Sequence, residues 1–102
     1  MSAVKVIVKR RFKEGKTKGV FALLNQFRSV AMEQPGFIYG ETLINYDNPL
    51  EVVVIAMWNS IENWLAWKES KEREANEQRL AQWMEEPAEV NVYVLGTHPP
   101  RR

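Results

Sequence analysis

Residues 50–58, Leu-Glu-Val-Val-Val-Ile-Ala-Met-Trp, combine β-branched side chains with seven consecutive apolar positions, Val52 to Trp58. The run reads as a strand, and an antiparallel strand with one face in water alternates apolar and polar residues. Nothing alternates here, so both faces of this strand are expected to be dry. The rest of the chain, at 102 residues a single domain, carries helical pattern enough for one face of a sheet. The other face is left for a second copy of the chain, a bound apolar ligand, or both.

The flanking segments give the elements around that strand. Val4, Val6 and Val8 alternate with Lys5, Ile7 and Lys9, so residues 3–12 read as a strand. Lys13-Glu14-Gly15-Lys16 turns the chain, and Thr17 stands where an N-cap would. Val20, Leu23, Leu24, Phe27, Val30 and Ala31 keep helical spacing, which predicts an amphipathic helix over residues 18–33. Gln34-Pro35-Gly36 ends it. Phe37 to Tyr46 reads as a strand with Phe37, Tyr39, Glu41, Leu43 and Asn45 on one face. The turn signal Asp47-Asn48-Pro49 then makes a hairpin with the central strand, residues 51–58. Asn59 or Ser60 caps a further helix, with Ile61, Trp64, Leu65 and Lys68 toward the core. A break near Ser70 divides it from a charged continuation that regains an apolar face at Leu80, Trp83 and Met84. A last strand is expected over residues 89–96, and residues 97–102 are expected to form a disordered tail beyond a single domain of residues 1–96.

The order β-α-β-β-α-β is that of the ferredoxin-like α+β fold, one four-stranded antiparallel sheet with its helices on a single face. Strand parity is open at this point, but either choice leaves a broad apolar surface uncovered. Soluble monomers rarely expose contiguous patches beyond a few hundred Å². Face-to-face pairing of two sheets in a homodimer is the expected remedy, through an obligate interface of about 2,000 Å² or more.

Composition removes several kinds of chemistry. With 14 basic and 13 acidic residues the net charge is +1, so no nucleic-acid partner is expected. No apolar run approaches the ~18 residues of a membrane span. Met-Ser-Ala-Val-Lys leads directly into a strand, which makes the cytoplasm the default location. There is no cysteine, and the one histidine, His98, lies in the tail. Thiolate catalysis, a Ser-His-Asp triad and a Cys- or His-based metal centre are therefore not expected in the folded body, and no cofactor is expected.

Two segments resemble a known family. Met32-Glu33-Gln34-Pro35-Gly36-Phe37-Ile38-Tyr39-Gly40-Glu41-Thr42-Leu43 resembles the helix-to-strand junction of the antibiotic-biosynthesis-monooxygenase family. Ala56 to Trp67 resembles its strand-ending Trp, capped turn and aromatic-bearing helix. Glu72-Arg73 and Val92-Tyr93 extend the likeness, which covers roughly residues 4–95. The resemblance implies a dimeric α+β barrel. For some members it implies oxygenases that use neither metal nor flavin and oxidise polycyclic phenols to quinones. An ionised, electron-rich phenol can itself reduce oxygen. The protein then needs an apolar cavity, ring-stacking surfaces and polar groups for the phenolate.

The family's functional positions carry over in part. Its strand Asn, four residues before Trp58, corresponds to Val54, and its helix Tyr corresponds to Trp64. Its helix Arg corresponds to Arg73 or Arg79. In the haem-degrading branch a Trp is followed ten residues later by a His. Trp67 matches the Trp, but Glu77 stands at the second position and the first strand offers Val8, Lys9 and Arg10 in place of an Asn, so haem ligation of that kind is not implied. The expected site lies between sheet and helices, with Trp67, Trp64 and Arg73 as catalytic candidates and Trp58, Tyr39, Glu41 and Val54 as substrate-binding candidates. Each also has a structural reading: the tryptophans as core filler, Tyr39 as a packed ring, Glu41 as a rim residue, Arg73 as a surface partner of Glu69, Glu72 or Glu77. The competing function is a non-catalytic ligand-binding or scaffold protein of the same fold. A cavity of about 300 Å³ or more would favour small-molecule chemistry over it.

Overall fold

The computed structural model describes residues 2–96. The expected tail, with His98, lies outside the described residues. The elements are β1 (Val4–Arg11), α1 (Thr17–Ala31), β2 (Phe37–Ile44), β3 (Glu51–Trp58), α2 (Ile61–Lys68), α3 (Lys71–Ala81) and β4 (Glu89–Val94). The four strands form one antiparallel sheet in the order β2-β3-β1-β4. This is the ferredoxin-like α+β architecture.

Local chemistry sets the boundaries. The first helix starts at Thr17, with Lys16 and not Thr17 in the cap position. It stops at Ala31, ahead of Pro35. Asn45 Oδ1 accepts from the N–H groups of Asp47 and Asn48 at 2.8 and 3.0 Å, which forms the hairpin turn. Ser60 caps α2: its Oγ accepts from Asn63 N at 3.2 Å and donates to Asn63 Oδ1 at 2.8 Å. Ser70 serves two helices at once. Its hydroxyl donates to Trp67 O at 2.7 Å, ending α2, and accepts from Arg73 N at 3.1 Å, starting α3.

The register settles strand parity. Val4, Val6 and Val8 share the inner, helix-covered face with Val52, Val54, Ala56 and Trp58. Lys5, Ile7, Lys9, Val53, Ile55 and Met57 face outward. In β2 the alternation is broken. Phe37 pairs with Trp58 but Tyr39 pairs with Met57, so Ile38 is the extra residue of a β-bulge. Phe37 and Tyr39 were expected on one face; the bulge sends Phe37 inward and Tyr39, Glu41 and Leu43 outward.

Two buried clusters form the core. One joins Val4, Val6 and Val8 to Ala31, Trp58, Trp64 and Trp67; the other gathers Phe12, Val20, Leu24, Phe27, Val52, Leu80 and Met84. The second helix therefore buries Trp64 and Trp67, while Leu65 and Lys68, expected inward, are exposed. Two indoles three residues apart bring more apolar area to the sheet than Leu65 does, and they set the rotation of the short helix. The outer face keeps Val53, Ile55 and Met57 only half-buried, ringed by Lys5, Lys9, Glu41 and Glu89. No helix of the described residues covers this outer side of β3.

Candidate functional site

A cavity of about 90 Å³ lies between the inner face of the sheet and the helices. Its floor is apolar: Val6 and Val8 from β1, Val54, Ala56 and Trp58 from β3. Val54 and Ala56 point inward yet are only half-buried. Leu24, Phe27 and Ala31 of α1 wall one side, and Trp64 and Trp67 of α2 another. Gly40 and Thr42 of β2 complete it beside Phe37.

Trp58 organises the aromatic wall. Its ring lies 6.4 Å from Trp67 at an interplanar angle of 25°, and 6.2 Å from Trp64 at 56°. Phe37 meets it edge-on at 5.2 Å and 88°. Such offset and edge-to-face contacts lock the rings into one arrangement.

The remaining lining is charged. Arg10 continues the inward row of Val4, Val6 and Val8 and is only 6% exposed. Its Nη2 donates to Glu77 Oε2 at 2.6 Å. Arg73 Nη2 lies 3.7 Å from the same oxygen, and its guanidinium sits 5.1 Å above the Trp64 ring. Burial pulls the Arg73 pKa below its ordinary value and Arg10 repels it, while Glu77 acts the other way; a guanidinium stays charged nonetheless. Arg28 donates to the Thr42 hydroxyl. Among the described residues that line the cavity there are three guanidiniums and one carboxylate, Glu77. Two buried donors, Arg10 Nε and Trp58 Nε1, have no hydrogen-bond partner among the described residues.

Of the residues named from the sequence, the fold brings Trp58, Trp64, Trp67, Arg73 and Val54 to this cavity. Tyr39 and Glu41 are not brought there: the Ile38 bulge turns them to the opposite face of the sheet. Trp67, which was not among the helix positions expected toward the core, is buried there. Arg10, Arg28 and Glu77 were not foreseen. Arg10 had a signal, since it occupies the next inward position on a row of valines. The volume is well below the ~300 Å³ at which drug-sized ligand sites begin.

Residues 3–79 match the family model of antibiotic biosynthesis monooxygenases. The chain belongs to that family. Solved structures agree on the fold. A Nitrosomonas europaea protein classed as an antibiotic biosynthesis monooxygenase superposes with a TM-score of 0.85 at 22% identity, over 96% of this chain and 93% of that one. SnoaB of Streptomyces nogalater, a cofactor-independent oxygenase, gives 0.84 at 15% identity over 99% and 100% of the two chains. A conserved Methanosarcina mazei protein gives 0.84 at 18% identity over 91% and 92%. Likeness at these identities carries the fold alone. No curated protein matches the chain. In this family member the cavity floor has an aliphatic side chain, Val54, at its centre, and the polar groups stand around it.

Proposed function

We propose that the chain is a monooxygenase that oxidises an aromatic small molecule, a phenol or quinol, with dioxygen and without metal or flavin. One observation carries the reading. A cavity walled by stacked tryptophans is bordered by guanidiniums in excess of carboxylate, so one lining suits a ring and the other suits the oxygen that ionises on it. The family supports monooxygenation as the reaction class.

In this reading Trp58 and Trp67 hold the substrate ring over the Val54 floor. Trp64 fixes Arg73, whose positive charge lowers the energy of the phenolate. The phenol proton leaves to water. The electron-rich anion reduces dioxygen, one oxygen atom forms a new bond to ring carbon, and the other leaves as water as the ring becomes a quinone. Substrate supplies all four electrons, so no external reductant enters. Tyr39 and Glu41 have no part in this step. Two chains pairing through the outer sheet face would complete the fold as a homodimer.

Oxygen uptake with a panel of dihydroxynaphthalenes, together with label transfer from isotopic dioxygen to product, tests the reading. Uptake above the protein-free rate that falls at least tenfold in Trp67→Phe supports it. Uptake no faster than without protein, unchanged in Trp67→Phe, discards it. The small volume favours one second reading, a ligand-binding member without turnover, which binds the same aromatics and consumes no oxygen.

A further inference from the structure

The inward row of β2 is interrupted at one position. Phe37, Gly40 and Thr42 face the helices, paired with Trp58, Ala56 and Val54 of β3. Trp58 is 1% exposed, whereas Ala56 and Val54 are half-buried, as are Gly40 and Thr42. The next inward pair along the strands ends in Val52, which is buried again, and the inward valines of β1 are buried throughout. Exposure is thus confined to the stretch around Gly40 and Thr42, and the cavity opens there. Both neighbours of Gly40 in the row are held: Phe37 packs edge-on against Trp58, and Thr42 accepts a hydrogen bond from Arg28.

The backbone does not ask for glycine at position 40. Gly15 and Gly36 are the glycines with positive φ among the described residues, and the β-bulge lies earlier, at Ile38. A Cβ at Gly40 would stand 3.3 Å from Phe37 Cζ and 3.4 Å from Ile55 O. A side chain here would narrow the opening twice, by its own bulk and by pushing Phe37 aside. The space behind is small as well. An apolar cavity that encloses benzene measures about 150 Å³, and this one measures about 90 Å³. A ring therefore fills it and still reaches into the opening, and a second fused ring has to lie outside. Trp58, Trp64 and Trp67 are each less than a tenth exposed and pack on one another, so the wall does not retreat to admit more.

We propose that the cavity takes in one ring only, through the opening at Gly40, so that its substrate is a phenol whose reacting ring is terminal: a single ring, or the end ring of a fused system. Gly40 and Phe37 set that limit as specificity-determining residues. The inference rests on the cavity being the substrate site, as proposed above, and narrows the class of aromatic it accepts.

The test is a binding comparison that needs no turnover. The hydroxyl of 2-naphthol sits on an end ring, and that of 9-phenanthrol on the middle ring of three. By apolar area alone 9-phenanthrol binds more tightly. Calorimetric titration of the intact protein is expected to give the reverse, with 2-naphthol at least about tenfold tighter, because the middle ring cannot be buried. Phe37→Ala widens the opening and is expected to raise the 9-phenanthrol affinity until the two agree within about threefold, a gain that a damaged fold would not produce. Gly40→Ala is expected to weaken 2-naphthol at least about fivefold, while Gly19→Ala on the exposed side of α1, with open space around it, leaves binding unchanged. Equal or tighter binding of 9-phenanthrol by the unaltered protein, no binding of either phenol, or full 2-naphthol affinity in Gly40→Ala overturns the proposal. Should Phe37→Ala fail to fold, Gly40→Ala and the unaltered protein decide. Ring selectivity without oxygen uptake removes the oxygenase reading and leaves the one-ring limit; oxygen uptake beside equal binding of the two phenols does the opposite.

Discussion

Removing Glu77 takes the carboxylate away from two guanidiniums at once, and the loss can be sized. Breaking a buried ion pair by deleting one partner typically costs about 3–5 kcal/mol, because the other charge is left unpaired. The Arg10 side chain is 7% exposed but that of Glu77 is 27% exposed, so solvent reaches one side of the pair. The low end, about 3 kcal/mol, applies to Glu77→Ala. A domain of this size has a total stability of about 5–15 kcal/mol and shifts its Tm by roughly 4–8 °C per kcal/mol. The expected fall is therefore on the order of 12–24 °C, with a matching drop in the urea midpoint. The double variant Arg10→Met, Glu77→Met removes both charges and fills the space with apolar side chains. It is expected to regain at least half of the loss, since an apolar replacement of a buried pair is often near neutral. Thermal and urea unfolding of wild type, Arg10→Met, Glu77→Met and the double variant measure the cycle, with Glu77→Ala measured beside them. A Glu77→Ala cost below about 1 kcal/mol, or a double variant at or beyond the sum of the singles, would refute the claim that Arg10 carries a charge the interior must balance.

Gly36 has φ +86°, and a Cβ there would collide with the Asn63 side chain; Gly36→Ala is expected to lower stability by about 2 kcal/mol or more in urea unfolding, from backbone strain plus the disturbed α2 cap. Glu51 has its pKa held below 4.5, first by the Asn45 amide and then, against opposing burial, by Lys9 and Arg11. A depressed folded-state pKa means a stabilisation that is complete above that ordinary value and lost as pH falls below it. Glu51→Gln is thus expected to flatten the acid limb of the stability-against-pH curve, lowering stability at neutral pH while leaving acid pH, where Glu51 is already protonated, little affected. A limb of unchanged slope would count against that assignment. Light scattering is expected to give twice the mass of one chain, and Ile55→Glu, at the centre of the outer face, is expected to give a single chain of native circular dichroism. A wild-type monomer at micromolar concentration would remove the sheet-to-sheet pairing.

Some of this was written plainly in the sequence. The central strand was expected at residues 51–58 and spans Glu51–Trp58, because an unbroken apolar run with four β-branched residues, bounded by Asn-Pro and Asn-Ser, admits little else. The break at Ser70 was legible from the change to a charged segment, and the structure adds that one hydroxyl serves both helix ends. The tryptophans of the cavity were legible as a group. The bulge at Ile38 was not, since an extra residue is defined by the partner strand and not by its own neighbours. That one residue moved Tyr39 and Glu41 out of the candidate site. The Arg73–Glu77 pair follows from helical spacing, but the Arg10–Glu77 pair joins groups 67 positions apart and depends on α3 lying over β1. The cavity volume depends on how far Trp67 and Phe27 stand from the strands, which residue order does not encode.

Val54 and Ile55 are adjacent in β3 and look in opposite directions, one into the cavity and one away from the helices. The strand is therefore a partition a single peptide thick between two compartments. Should a guest rest on Val54, a neighbour pressing on Ile55 would meet it through that one peptide. Thermodynamic reciprocity makes the traffic two-way: any factor by which a neighbour on the far side alters the guest's hold is the factor by which the guest alters the neighbour's.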